Sequence, residues 1–65
     1  MEVTLSIKIQ SGNAAFGDTD TVAREETALI LRKLANNILR RKEHNKIMDS
    51  YGNNVGELFF EVLED

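Results

Sequence analysis

The sequence predicts an α+β fold of order β-α-β-β: a three-stranded antiparallel sheet, strand order 1-3-2, with one long helix packed on one face. Three observations carry this. Residues 3–9 alternate apolar and polar side chains. Residues 21–43 repeat apolar groups at helical spacing. Residues 46–63 set a cluster of turn-forming residues between two apolar runs. The order 1-3-2 places the longest and most apolar strand at the centre and makes every neighbour antiparallel, the usual way for one helix to cover one face of a small sheet.

In the first strand, about residues 3–10, Val3, Leu5, Ile7 and Ile9 point one way and Thr4, Ser6, Lys8 and Gln10 the other. Ser11-Gly12-Asn13 ends the pattern. In the connection that follows, Phe16 is the only large apolar group and is expected to plug the end of the core. Asp18, Thr19, Asp20 and Thr21 are each competent helix N-caps, and Glu25 and Glu26 lie near the positive end of the helix dipole.

The helix is expected over about 21–43. Ala23, Thr27, Ile30, Leu31, Leu34 and Ile38 form its sheet-facing stripe, edged by Ala28, Ala35 and Leu39. Val22 and Leu29 fall on the opposite side, as isolated surface groups or as a partner contact. Arg40-Arg41-Lys42 places positive charge at the helix C-terminus, and Asn45 is a competent stop. The hairpin spans about 46–63. Its turn cluster is Asp49-Ser50-Tyr51-Gly52-Asn53-Asn54, with Gly52 supplying a positive φ and Gly56 marking a bulge. Leu58, Phe60 and Val62 share one face of the last strand, and Glu57, Phe59, Glu61 and Leu63 the other. Phe59 and Leu63 on a bare sheet face, with two open edges, point to self-association or a partner.

The chain has 65 residues, 42% hydrophobic and 29% charged, which sets a single domain over 1–65 as the expectation. A chain this short buries only about 60% of its unfolded surface, so a partner subunit gains weight as a source of stability. There is no Cys, hence no disulfide framework and no thiolate metal site. No apolar stretch reaches the roughly 20 residues of a membrane span, and the first residues carry no apolar export run. An intracellular, cytoplasmic protein is expected.

Eight Lys and Arg stand against eleven Asp and Glu, for a net charge of −3. The charge is polarised. Residues 32–46 hold Arg32, Lys33, Arg40, Arg41, Lys42 and Lys46 against Glu43 alone, and the rest of the chain is strongly acidic. The basic cluster is a solvated helix end or a phosphate-binding surface. The acidic set Asp18, Asp20, Glu57, Glu61, Glu64 and Asp65 is solubilising or fits a basic surface such as a nucleic-acid channel.

Catalysis is not expected. The single His44, beside Glu43, has no Cys to activate, and no serine stands at a spacing that implies a nucleophile. Asp18-x-Asp20 lacks the glycine and distal glutamate of a calcium loop, and Gly12 and Gly17 form no phosphate-binding signature. No metal and no cofactor are expected. For nucleic acid, the aromatic last strand carries glutamates where a stacking platform carries Lys and Arg.

Several segments together carry a resemblance. They are Asn13-Ala14-Ala15-Phe16 after an alternating strand, the helix core from Glu26 to Ala35 with its Ile-Leu-Arg-Lys-Leu-Ala run, and Asp49-x-x-Gly52-Asn53-x-Val55-Gly56 before an apolar strand. In these the chain resembles a family of small bacteriophage and prophage proteins. It departs from that pattern at Leu29, where a basic or polar residue is usual, and at Tyr51, where Asn is commoner and sits more easily in a primed turn. The resemblance implies a phage origin in a bacterial host and carries over no site residues.

Two functions follow as expectations. The first is a protein-binding module that inhibits a host or defence protein stoichiometrically, in the manner of an anti-CRISPR. Glu57, Glu61, Glu64, Asp65, Asp18 and Asp20 would occupy a basic groove, with Phe59, Tyr51 or Leu29 as apolar anchor. The alternative is a dimeric nucleic-acid-binding accessory protein whose Arg32, Arg40, Arg41, Lys42 and Lys46 meet phosphates.

Overall fold

The computed structural model describes residues 1–41 and 46–64. It contains β1 (Glu2–Ile9), a short 3-10 turn (Ala14–Phe16), α1 (Asp20–Leu39), β2 (Lys46–Met48) and β3 (Asn54–Leu63). The sheet is antiparallel in the order β1-β3-β2, as the sequence predicts. β1 and β3 pair from Glu2 opposite Leu63 to Ile9 opposite Gly56, and the Gln10 N–H bond to the Val55 carbonyl at 3.0 Å continues that register. In an antiparallel ladder, pairs that exchange hydrogen bonds alternate with pairs that do not. The even-numbered residues of β1 therefore turn their backbone groups toward β3. Val3, Leu5 and Ile7 turn theirs toward the free edge.

The core is Phe16, Ile30, Leu34, Ile47, Val55 and Leu58, flanked by half-buried Ile7, Ile9, Ala23, Ile38 and Phe60. Phe16 plugs the end of it, as expected. Val55 enters the core through a bulge. Ile47 pairs with Gly56 and Met48 with Asn54, so Val55 is the extra residue on β3. Thr19 is the N-cap, its hydroxyl accepting from the Val22 N–H at 3.2 Å.

Three expectations are corrected. First, the helix ends at Leu39, short of the expected 43. Arg40 leaves helical geometry, its N–H still bonded to the Asn36 carbonyl, and Arg41 takes a left-handed φ of 61°. Lys42, Glu43, His44 and Asn45, and with them the expected stop at Asn45, lie outside the described residues. Second, the buried line of α1 is Glu26, Ile30 and Leu34, while Leu31 is 44% exposed and Ala28, Ala35 and Leu39 are exposed. The flank with Glu26 and Lys33 is turned toward β2 and its turn. At 100° per residue, the flank with Leu31, Ala35 and Ile38 is therefore turned toward β1.

Third, the helix covers only part of its sheet face. Ile7, Ile9 and Leu58 are shielded, but Val3 is 58%, Leu5 52% and Val62 41% exposed on that same face. Alternation gives the direction of these side chains correctly, but at the far end α1 leaves a cleft lined by Ile38, Leu39, Phe60 and Val62 instead of packing closely on the sheet. The molecule measures 46 × 19 × 17 Å, and its radius of gyration of 13.1 Å exceeds the roughly 11 Å expected of a compact chain this long.

Candidate functional site

Among the described residues two carboxylates are buried, Glu26 and Asp49. Glu26 reads from sequence as a helix-dipole residue. In the fold its Oε1 and Oε2 accept from the Ser50 hydroxyl at 2.6 and 2.8 Å, and Oε2 also accepts from the Ser50 N–H at 2.8 Å. Its place four residues before Ile30 and eight before Leu34 is a signal that helical spacing contains. Its partner, 24 positions away, is not. Asp49 Oδ1 accepts from the Tyr51 and Asn53 N–H groups, both at 2.9 Å. Oδ2 accepts from the Asn13 and Asn53 side-chain amides, both at 3.4 Å. The turn is closed by Gly52 N–H to the Asp49 carbonyl at 3.1 Å and Asp49 N–H to the Asn53 carbonyl at 2.9 Å. Gly52 has φ 83°, and Arg41 is the only non-glycine with positive φ among the described residues. Tyr51 thus sits in an unprimed turn followed by a left-handed glycine, which it occupies without strain.

Both carboxylates accept from donors of their own chain. They fix the hairpin tip to α1 and to the loop after β1. Among the described residues no group of three or more His, Cys, Asp and Glu is placed to hold a metal ion.

This arrangement has a pH signature. Burial raises the Asp49 carboxyl pKa, but the Asn53 and Tyr51 N–H bonds and the Asn13 and Asn53 amides outweigh it and hold the group below the ordinary aspartate value. A carboxylate whose pKa is lower folded than unfolded favours the fold above its unfolded value and loses that contribution as pH falls through its folded value. Thermal midpoints are therefore expected to fall below about pH 4, with a shallower fall in Asp49→Asn over the same interval. Equal slopes for the two proteins would show that Asp49 is not among the groups responsible.

The remaining candidates are surface features. On the open sheet face, β3 runs beside β1 with Glu57 opposite Lys8, Phe59 opposite Ser6 and Glu61 opposite Thr4. Lys46 flanks Glu57 from the other side. Phe59 is 51% exposed and lines a shallow depression of about 400 Å³ with Ser6, Lys8, Glu57 and Leu58. Leu63 continues the strip and is exposed, whereas Glu64, just past the strand, lines a cleft on the helix side with Ile38, Leu39, Arg41, Phe60 and Val62. Glu57 thus sits between two lysines, and Glu61 is the less opposed charge.

The structure does not bring the other predicted residues to this strip. Tyr51 is at the hairpin tip and exposed. Leu29 is exposed on α1, which covers the opposite face of the sheet. Asp18 and Asp20 lie at the helix start, where Asp20 is bonded to Arg24 at 2.7 Å. Asp65 and Lys42 are outside the described residues. Of the basic set, Arg32, Arg40 and Arg41 are exposed on the C-terminal half of α1 and just beyond it. Lys46 is on β2, beside a groove of about 520 Å³ whose apolar lining is Ile30, Leu34, Ile47 and Met48. No helix of the described chain is long and apolar enough to cross a membrane.

No protein family, curated protein or solved structure matches the chain.

Proposed function

We propose that this chain is a protein-binding module of phage origin that acts stoichiometrically on a host or defence protein, an anti-CRISPR-type inhibitor being the concrete form. The observation that supports it is the open sheet strip. A half-exposed Phe59 stands between Glu57 and Glu61, with Leu63 beyond, on a face that no element of the described residues covers. An aromatic anchor framed by acids suits a basic protein groove of the kind that holds nucleic acid. The expected contact set on this strip is Glu57, Phe59 and Glu61. The functional carboxylates are on the surface, and the buried ones serve the turn.

The test is retention of a bacterial-host protein from nuclease-treated lysate on the immobilised chain, followed by titration of the purified partner. Phe59→Ala is expected to weaken binding about 30-fold, as loss of a central anchor does. Glu61→Lys is expected to weaken it more than Glu57→Lys, and Arg40→Glu/Arg41→Glu to leave it unchanged. Retention that vanishes with nuclease and follows Arg40 and Arg41 would overturn the reading in favour of phosphate binding.

A further inference from the structure

We propose that the bare flank of this fold is covered by a second copy of the same chain, joined β1 to β1 in antiparallel register about Leu5. The surface is distinct from the open strip. It consists of the free edge of β1 and the apolar groups on the helix side of it: Val3, Leu5 and Val62 on the sheet and Leu31 on the helix flank turned toward β1.

Area gives the first argument. The chain exposes 5198 Å² at a mass of 7.3 kDa. A folded monomer of that mass exposes roughly 4,200 Å², so about 1,000 Å² per chain is left in excess. A standard protein interface buries about 800 Å² per partner.

Backbone geometry gives the second. Val3, Leu5 and Ile7 point their N–H and C=O groups away from β3, so an antiparallel partner on this edge must meet those three. Centring the pair on Leu5 does so. Leu5 faces Leu5 of the second copy, and Val3 faces Ile7 in both directions, all as hydrogen-bonded pairs.

Charge fixes that register against its neighbours. In it Glu2 of each chain stands opposite Lys8 of the other, twice, in the closer non-hydrogen-bonded positions, and Thr4 stands opposite Ser6. A register centred on Thr4 or on Ser6 still pairs the outward residues but brings no Glu and Lys together. The twofold axis through Leu5 is perpendicular to the joined sheet, so both helices stand on one face with their Leu31 flanks turned toward each other. The bare end of each chain, at Val3, then lies beside Ile7 of the other, which packs against a covered core. Each copy shields the end the other leaves open, and the exposed edge of β1 disappears.

The experiment uses the full chain, which contains no cysteine. Leu5→Cys is expected to form a symmetric disulfide dimer under mild oxidation, since hydrogen-bonded antiparallel pairs bring Cα atoms to about 5.5 Å. Leu29→Cys, on the outer face of α1, is expected not to. Glu2→Lys and Lys8→Glu singly are expected to raise the dimer dissociation constant at least about 10-fold by sedimentation. The double variant Glu2→Lys/Lys8→Glu is expected to restore it, because the swapped charges meet again across the axis. Circular dichroism of each variant confirms the fold. A folded parent that sediments as a monomer up to millimolar concentration overturns the proposal. So does a dimer in which the Leu5→Cys variant does not cross-link, or in which the double swap behaves no better than Lys8→Glu alone.

Discussion

Replacing Gly56 with alanine is expected to unfold the chain under conditions in which the parent is folded. A Cβ built at Gly56 falls onto the Lys8 carbonyl oxygen and 3.0 Å from the Ile9 Cα. Both atoms belong to the backbone of β1, so no side chain can rotate away. Relief requires β1 to separate from β3 at the pair Ile9 and Gly56, beside the bulge that delivers Val55 to the core. Overpacking of an ordinary core costs about 1–3 kcal/mol, and this site lies at or above the upper end because the clash is with backbone. Domains of this length are stable by only about 3–10 kcal/mol. A urea titration checks the expectation, with a lowered midpoint and unchanged slope as its signature. Gly12→Ala is the control. Nothing lies within 4 Å of a Cβ there, and its midpoint is expected to shift by under about 0.5 kcal/mol equivalent.

Ile47→Ala is expected to be nearly as damaging. Ile47 is the most buried side chain of the described residues, 1% exposed, at the centre of a strand of three residues. Its neighbours in the core come from α1, β3 and the 3-10 turn, so no single element can close on the space left behind. Such truncations cost about 2–5 kcal/mol. Loss of β2 would also unpin the hairpin tip held by Glu26 and Asp49. The same urea titration reads it. A shift below about 1 kcal/mol would mean that β2 collapses freely onto α1 and contributes little to the fold.

The parts of this structure that depend on local chemistry were legible in the sequence. The period-two run of β1, the plug at Phe16, the left-handed Gly52 and the strand order all follow from residues read in short windows. What was not legible depends on what comes from elsewhere. Arg41 terminates α1 in a left-handed conformation that no glycine or proline announced. Glu26 is buried because Ser50, far along the chain, supplies its donors. Val3, Leu5, Ile7 and Ile9 share one pattern, yet only the last two are shielded, because alternation assigns a face and does not say how far the helix reaches over it. The candidate surfaces divide in the same way. The acids and Phe59 on β3 follow from strand alternation, whereas the separation of Tyr51 from them appears only in three dimensions.

On the pairing proposed above, the bare edge of β1 is a seam between two copies. Residue-resolved amide hydrogen exchange on the native chain tests this directly, because the two sets of amides on β1 differ. Those of Thr4, Ser6 and Lys8 face β3 within the chain, and those of Val3, Leu5 and Ile7 face outward. Pairing of two copies predicts that both sets are protected, the outward set increasingly so as protein concentration rises. Protection of the inward set alone, with Val3, Leu5 and Ile7 exchanging freely at every concentration, would contradict it.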